Sequence, residues 1–332
     1  MASILVTGGT GFIGTPLVKK LHELGHKVKL LVRESSDITP FKEFEEIEYI
    51  NGDVQDIGSL EEATIGIDAI YHLAAYTGIW AKDKSIYYDV NVKGTENVVN
   101  IALQNNLKLF YVSSFTALGP TPPEPVDETH ENEKFFMEYE KSKFQAKKLV
   151  KSYIPKGLKV MIFYPGIVYG PGDFNIFGRM LYDVMRGKLF PLGACPGKGD
   201  SVACLSYVYD TSNALADLLN REDLLGEEFI LGGENVTFRE YLNLIAKIGR
   251  NKKARKLPFS IAMVYAWFLE FKARFNNKIP FLTRPTLKAI TYHRAYSSKK
   301  AKDKFGYNIT PLKEGLKETI NWYKDYMELE KK

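Results

Sequence analysis

Ser3-Ile4-Leu5-Val6-Thr7-Gly8-Gly9-Thr10-Gly11-Phe12-Ile13-Gly14 runs from a short apolar strand into glycines at positions 8, 11 and 14. Glycine permits a tight turn and lets the backbone approach a pyrophosphate, and the free N–H groups and positive dipole end of the next helix hold its charge. That helix is expected over Phe12 to Leu24, where apolar residues recur at Phe12, Ile13, Leu17, Val18, Leu21 and Leu24. At average glycine usage the chain's 26 glycines yield only about 0.1 accidental triples of this spacing. The match also sits between a strand and a helix, as a first βα unit requires. Gly8, Thr10, Gly11, Phe12, Ile13 and Gly14 are therefore read as a dinucleotide cradle.

Working outward, apolar runs at Lys27 to Val32, Ile47 to Ile50, Ala69 to Ala74, Leu107 to Ser113 and Leu158 to Tyr164 read as strands with helical stretches between them. This alternation predicts an α/β fold, a Rossmann-type doubly wound parallel sheet. After Pro171-Gly172 the rhythm changes to longer helices over Thr237 to Gly249, Phe259 to Phe275, Arg284 to Tyr296 and Pro311 to Tyr326. The expected division is a dinucleotide-binding domain over 1–170 and a smaller, helix-rich, mainly substrate-binding region over 171–332. Some segments of the second part are expected to return to the first.

Composition narrows the function. A chain of 332 residues with 45% hydrophobic residues buries a full core, and a net charge of +5 is too small to argue for nucleic acid. Cys195 and Cys204 show neither ligand spacing nor a disulfide framework, so no metal is expected and a reducing compartment is. No leader and no apolar run of spanning length is read, which predicts a cytoplasmic protein.

Tyr139 and Lys143 lie four apart in an expected helix, so both project from one face. An ammonium beside a phenol favours phenolate and lowers the tyrosine pKa toward the range of an acid/base catalyst. The spacing alone is weak, since Tyr296 and Lys300 repeat it. The first pair is preferred because Leu109-Phe110-Tyr111-Val112 leads into Ser113-Ser114 at the carboxyl edge of the sheet, where ligands bind in such folds.

With these residues the sequence resembles the extended short-chain dehydrogenase/reductases, in the branch of dihydroflavonol 4-reductases, 3β-hydroxysteroid dehydrogenases and NAD(P)-dependent epimerase/dehydratase-like proteins. The resemblance spans nearly the whole chain. It rests on the glycine triple, Asn51 to Val54, His72 to Ala75, Asn91 to Thr95, Ser113-Ser114, Tyr139 through Lys143, Tyr164 to Asp173, Leu231 to Asn235 and Phe305 to Tyr307. It implies that Ser114 hydrogen-bonds the substrate oxygen, that Tyr139 exchanges a proton with it, and that Lys143 holds the nicotinamide ribose while tuning Tyr139. Ser114 is chosen because it stands five before Gly119; Ser113 is the alternative. The resemblance further places Asp53 and Val54 at the adenine, Leu73, Ala74 and Ala75 along the ribose and nicotinamide, and Pro165 and Val168 over the ring.

Arg33 follows the second strand, and Val32 stands where NAD-selective relatives carry an acid. An arginine there pairs with a 2′-phosphate, so NADP(H) is favoured over NAD(H). Ser114-Phe115-Thr116-Ala117 lacks the Asp-Glu pair of resembling sugar-nucleotide dehydratases, which disfavours dehydration. Near Tyr207 to Asp210, of the histidine and two acids common in the family, only Asp210 remains.

The expected activity is interconversion of a carbonyl and a secondary alcohol on a hydrophobic small molecule, with a sugar or nucleotide-sugar epimerase as the alternative. Between Gly166 and Leu192, Arg179, Arg186 and Lys188 are outnumbered by Tyr169, Phe174, Ile176, Phe177, Met180, Leu181, Tyr182, Leu189 and Phe190. That balance favours an apolar substrate over a nucleotide diphosphate. Tyr76, Trp80, Phe174 and Phe177 are further candidates for the pocket wall, with core packing the default for each. Leu257 to Leu269 carries no charge and follows the basic Lys252 to Lys256; a buried or substrate-covering helix is favoured there over contact with a membrane surface. A monomer or homodimer is expected.

Overall fold

The computed structural model describes residues 1–44, 46–175, 178, 181–182, 185, 194–248, 255–276 and 279–329. Its strands are β1 (Ser3–Thr7), β2 (Lys27–Val32), β3 (Glu48–Asn51), β4 (Ala69–His72), β5 (Lys108–Val112), β6 (Val160–Pro165), β7 (Ile167–Tyr169), β8 (Ala194–Pro196), β9 (Val202–Tyr207), β10 (Glu228–Leu231), β11 (Glu234–Thr237) and β12 (Arg255–Leu257). Seven of them form one sheet in the order β3-β2-β1-β4-β5-β6-β10, and every neighbouring pair is parallel. Helices cover both faces, which is why β4 and β6 are buried along their whole length and read as unbroken apolar runs. The strand order reverses between β1 and β4, whose carboxyl ends pair Thr7 with His72. A crevice opens outside that reversal point.

The Gly14–Glu23 helix buries Leu17, Val18 and Leu21 on one face, and the Val208–Asp217 helix packs against it from the second half of the chain. β10 also returns to the large sheet, at the edge beside β6. The rest of the second half builds a separate core on the small β11-β9-β7 sheet, where Tyr169, Leu205, Tyr207, Tyr241, Leu316 and Tyr323 pack together.

Two segments differ from expectation. The helix expected over Arg284 to Tyr296 ends at Ala289. Beyond it the chain runs extended, because its backbone pairs with remote partners: Thr121 N donates to His293 O, Val126 N to Ala295 O, and Cys204 N to Arg294 O, at 2.9, 3.1 and 3.0 Å. Tertiary pairing overrides local helix preference here. The Phe259–Asn276 helix is present, yet it is neither buried nor a cover over the cavity described below. It buries Ala262, Ala266 and Ala273 while Ile261, Val264, Trp267, Phe268, Phe271 and Phe275 stay exposed.

Candidate active site

The glycines at the end of β1 have separate steric duties. Gly8 has φ +73°, and a Cβ there would lie 2.6 Å from Ala74 N; a Cβ at Gly14 would lie 2.2 Å from Gly8 O. Only hydrogen fits at either point, so the loop closes tightly and Gly11 N donates to Gly8 O at 3.0 Å. Beside this loop lies a cavity of about 580 Å³.

Its lining includes all six cradle residues, Arg33, Asp53, Val54, Leu73, Ala74, Ala75, Tyr139, Lys143 and Val168. Ser113 also lines it, whereas Ser114 and Pro165 do not. Pro165 is buried at the end of β6 beside Leu231. The exposed Arg33 side chain has no carboxylate partner among the described residues, and the Arg33 backbone N–H donates to Ser36 Oγ, also in the lining, at 3.1 Å. Space that a Cβ would fill and a cavity of this size fit a dinucleotide.

Tyr139 and Lys143 project from the Glu138–Tyr153 helix, whose first turn is fixed by Glu140. The Glu140 carboxylate accepts from Phe136 N at 2.7 Å and Met137 N at 3.3 Å, and pairs with Arg294. Ser114 caps the short turn after β5; its Oγ accepts from Thr116 N at 3.2 Å and Thr116 Oγ1 at 2.9 Å, and its hydroxyl lies near enough to the Tyr139 phenol to bear on its pKa. Burial raises the Tyr139 pKa above its usual value, with the Ser114 hydroxyl pulling it down and the Glu140 charge pushing it up. Lys143 is not among the groups that move it, so the lowering expected from that lysine is not seen, and desolvation keeps the phenol protonated at neutral pH. Lys143 is itself buried, pushed down to about 7 by desolvation; its Nζ donates to Val112 O at 3.2 Å and sits 5.0 Å from the centre of the Tyr111 ring.

A hydrogen-bond chain absent from the expected site residues leads to the same place. Thr7 Oγ1 meets His72 Nδ1 at 2.7 Å, and His72 Nε2 meets Thr95 Oγ1 at 3.0 Å. Thr95 spends its single proton on Asn91 O at 2.7 Å, so the network assigns the imidazole proton to Nε2 and makes Nδ1 the acceptor. Burial and the nearby Lys143 lower the His72 pKa to about 3, which keeps the ring neutral. Asn91 accepts from Tyr76 N at 2.7 Å and donates to Tyr76 O at 3.0 Å and Ser142 Oγ at 2.9 Å; Ser142 Oγ donates to Tyr139 O at 2.8 Å. Asn91 lies in a π-helical segment, Asp89–Gly94, an irregularity frequent at functional sites. The only signal for these residues in the sequence is their place in the His72 to Ala75 and Asn91 to Thr95 motifs.

Asp210 has a different place. It accepts from Thr310 N at 2.6 Å and Thr310 Oγ1 at 2.7 Å, tying the C-terminal segment to the Val208–Asp217 helix. Tyr76 lines the cavity; Phe174 is half-exposed outside it, and Trp80 O accepts from Tyr76 Oη at 3.3 Å. Phe177, Arg179, Arg186 and Lys188, with Ile176, Met180, Leu189 and Phe190, lie outside the described residues.

Residues 4–232 match the NAD dependent epimerase/dehydratase family. A Stenotrophomonas maltophilia protein named 2-alkyl-3-oxoalkanoate reductase is 30% identical over 331 residues, covering 95% of this chain and 97% of its own. A Synechocystis relative that carries a dihydroflavonol 4-reductase name is 27% identical, with 97% and 94% covered. The crystal structure of gox2253 superposes with a TM-score of 0.82 at 31% identity, covering 98% of this chain and 99% of that one. The chain belongs to the NAD-dependent epimerase/dehydratase family and is an NAD(P)-dependent enzyme of the extended short-chain dehydrogenase/reductase type.

Proposed function

We propose that this enzyme is an NADP(H)-dependent oxidoreductase that interconverts a carbonyl and a secondary alcohol on a hydrophobic small molecule. The observation that carries the reading is the Tyr139 phenol, kept protonated by burial near the Ser114 hydroxyl, in a cavity that also holds Lys143 and an Arg33 with no carboxylate partner among the described residues. Gly8, Gly11 and Gly14 would cradle the pyrophosphate, Asp53 and Val54 the adenine end, and Arg33 with Ser36 the 2′-phosphate. Bound dinucleotide supplies the hydride to the carbonyl carbon in reduction and accepts it in oxidation. The protein's own part is proton transfer. Tyr139 gives its proton to the substrate oxygen as negative charge develops there, the Ser114 hydroxyl supports that charge, and the Lys143 ammonium stabilises the resulting phenolate. The Asn91 to Ser142 link holds the first turn of the helix so that the phenol stays aimed.

The scarcity of cations in the lining supports this substrate class. Apart from the cradle, the wall mixes apolar Ile86, Val90 and Val168 with polar Asp53, Gln55, Thr77 and Asn175, and its only cations among the described residues are Arg33 and Lys143. Neither is left over to pair a second diphosphate. The name of the Stenotrophomonas relative, a reductase of an alkyl oxoacid, points the same way. The test is oxidation of NADPH and of NADH by the purified enzyme with long-chain 3-oxo acids and with aromatic or alicyclic ketones. Turnover faster with NADPH is expected. No turnover of any ketone, together with epimerisation of a nucleotide sugar by enzyme that retains its cofactor, would replace this reading with the epimerase.

A further inference from the structure

Opposite the small-residue stripe of Ala262, Ala266 and Ala273, the Phe259–Asn276 helix presents Val264, Phe268, Phe271 and Phe275 in line, with Ile261 and Trp267 beside them. Exposures run from 47% at Phe271 to 76% at Phe275. Trp267 stacks on Phe271 with centroids 5.8 Å apart, and Phe271 meets Phe275 edge-on at 5.1 Å, so the ridge is continuous. A helix apolar on all sides requires apolar surroundings on both faces, and the fold provides them on one. The exposed Lys272 and Arg274 flank the ridge on opposite sides.

Charge decides what covers it. Residues 252–288 hold nine lysines and arginines against one acid, Glu270, a net of +8 in a chain whose total is +5. The remainder of the sequence is therefore net negative, and among the described residues Lys272 and Arg274 stand on this helix with Arg284 and Lys288 on the Arg284–Ala289 helix packed beside it. Glu270 is already engaged with Arg284, at 2.8 Å. A second copy placed face to face would oppose like charges across the ridge. A surface with anionic headgroups above hydrocarbon satisfies both the apolar ridge and its cationic margins.

We propose that the outward face of the Phe259–Asn276 helix docks on an anionic lipid surface, holding the enzyme at the membrane without crossing it. No helix among the described residues is long and apolar enough to span. The contact lies in the plane of the interface, with the aromatic side chains seated at headgroup depth and Lys272 and Arg274 reaching phosphates.

The experiment is co-sedimentation of the full chain with vesicles of phosphatidylcholine alone and of phosphatidylcholine and phosphatidylglycerol in equal parts. Binding to the anionic vesicles is expected to exceed binding to the neutral ones by about tenfold and to fall in high salt. The triple variant W267S/F271S/F275S should lose binding to both while keeping turnover of a soluble ketone, which shows that it is folded. The K272E/R274E variant should lose the preference for anionic vesicles alone. Failure of the wild type to sediment, or equal binding by wild type and triple variant, would overturn the proposal. A dimer in sedimentation velocity that the triple variant dissolves, with no vesicle binding, would assign the ridge to a second copy instead.

Discussion

Tyr139 is the residue on which the proposed chemistry turns, since its phenol lines the cavity with Lys143 and is held protonated by burial. Tyr139→Phe removes one oxygen and is expected to lower kcat by about a hundredfold or more while leaving cofactor affinity nearly unchanged, as titration of NADPH fluorescence would show. Near-normal turnover would remove Tyr139 from the mechanism. Arg33 answers a separate question, because it has no carboxylate partner among the described residues. Arg33→Ala should weaken NADPH binding by about 1.5 to 3 kcal/mol, the usual value of a charge-assisted hydrogen bond, and leave NADH almost untouched. An equal loss for both dinucleotides in calorimetric titration would mean that Arg33 does not read the phosphate. Ser114, the serine expected at the substrate oxygen, does not line the cavity, whereas the alternative, Ser113, lines it with an unpartnered hydroxyl.

At the scale of the element, the Glu138–Tyr153 helix depends on a partner more than 150 positions away in sequence. Glu140 is fully buried and caps the helix start, and Arg294, from the extended strap after Ala289, neutralises it. The same strap ties the turn after β5 to the second half of the chain, with Tyr296 donating to Gly119 O. Removing one partner of a buried pair leaves an uncompensated charge. Arg294→Met is therefore expected to destabilise the protein by about 3 to 5 kcal/mol, seen as a lowered midpoint in urea. The double variant E140Q/R294M retains an acceptor for the cap and should recover most of that loss. If the single and double variants are equally unstable, the strap acts through its backbone pairing rather than through the charge.

The whole molecule registers the buried lysine in its pH dependence. In the unfolded chain Lys143 keeps its proton up to 10.5, whereas in the fold desolvation brings it down to about 7. Between those values the unfolded state binds more protons, so this group makes stability rise with pH, and below about 7 its full cost is present. Asp173 acts in the opposite sense lower on the scale: burial raises it from 3.8 to about 6, so the fold binds the extra proton and this group makes stability fall as pH rises through that window. Urea midpoints of the cofactor-free protein, compared with those of Lys143→Met, should show a smaller rise between neutral and alkaline pH in the variant. An unchanged slope would place the ammonium in better-solvated surroundings than its burial indicates.

The sequence by itself determined the sheet, the cradle and the Tyr139-Lys143 pair, because each is local. A strand, a glycine turn and an i, i+4 pair are set by neighbouring residues and by the steric limits of one stretch of backbone. What needed tertiary structure was every feature with distant partners. The His72 tautomer depends on Thr7 and Thr95, from different elements, and the Tyr139 pKa rises because its surroundings strip its water. The strap after Ala289 gave up the helical pattern of its own residues for hydrogen bonds to β9 and to the 121–126 segment. Composition marked Leu257 to Leu269 as apolar, but which face is covered depends on what packs against it, and the fold leaves six large side chains of that helix in solvent.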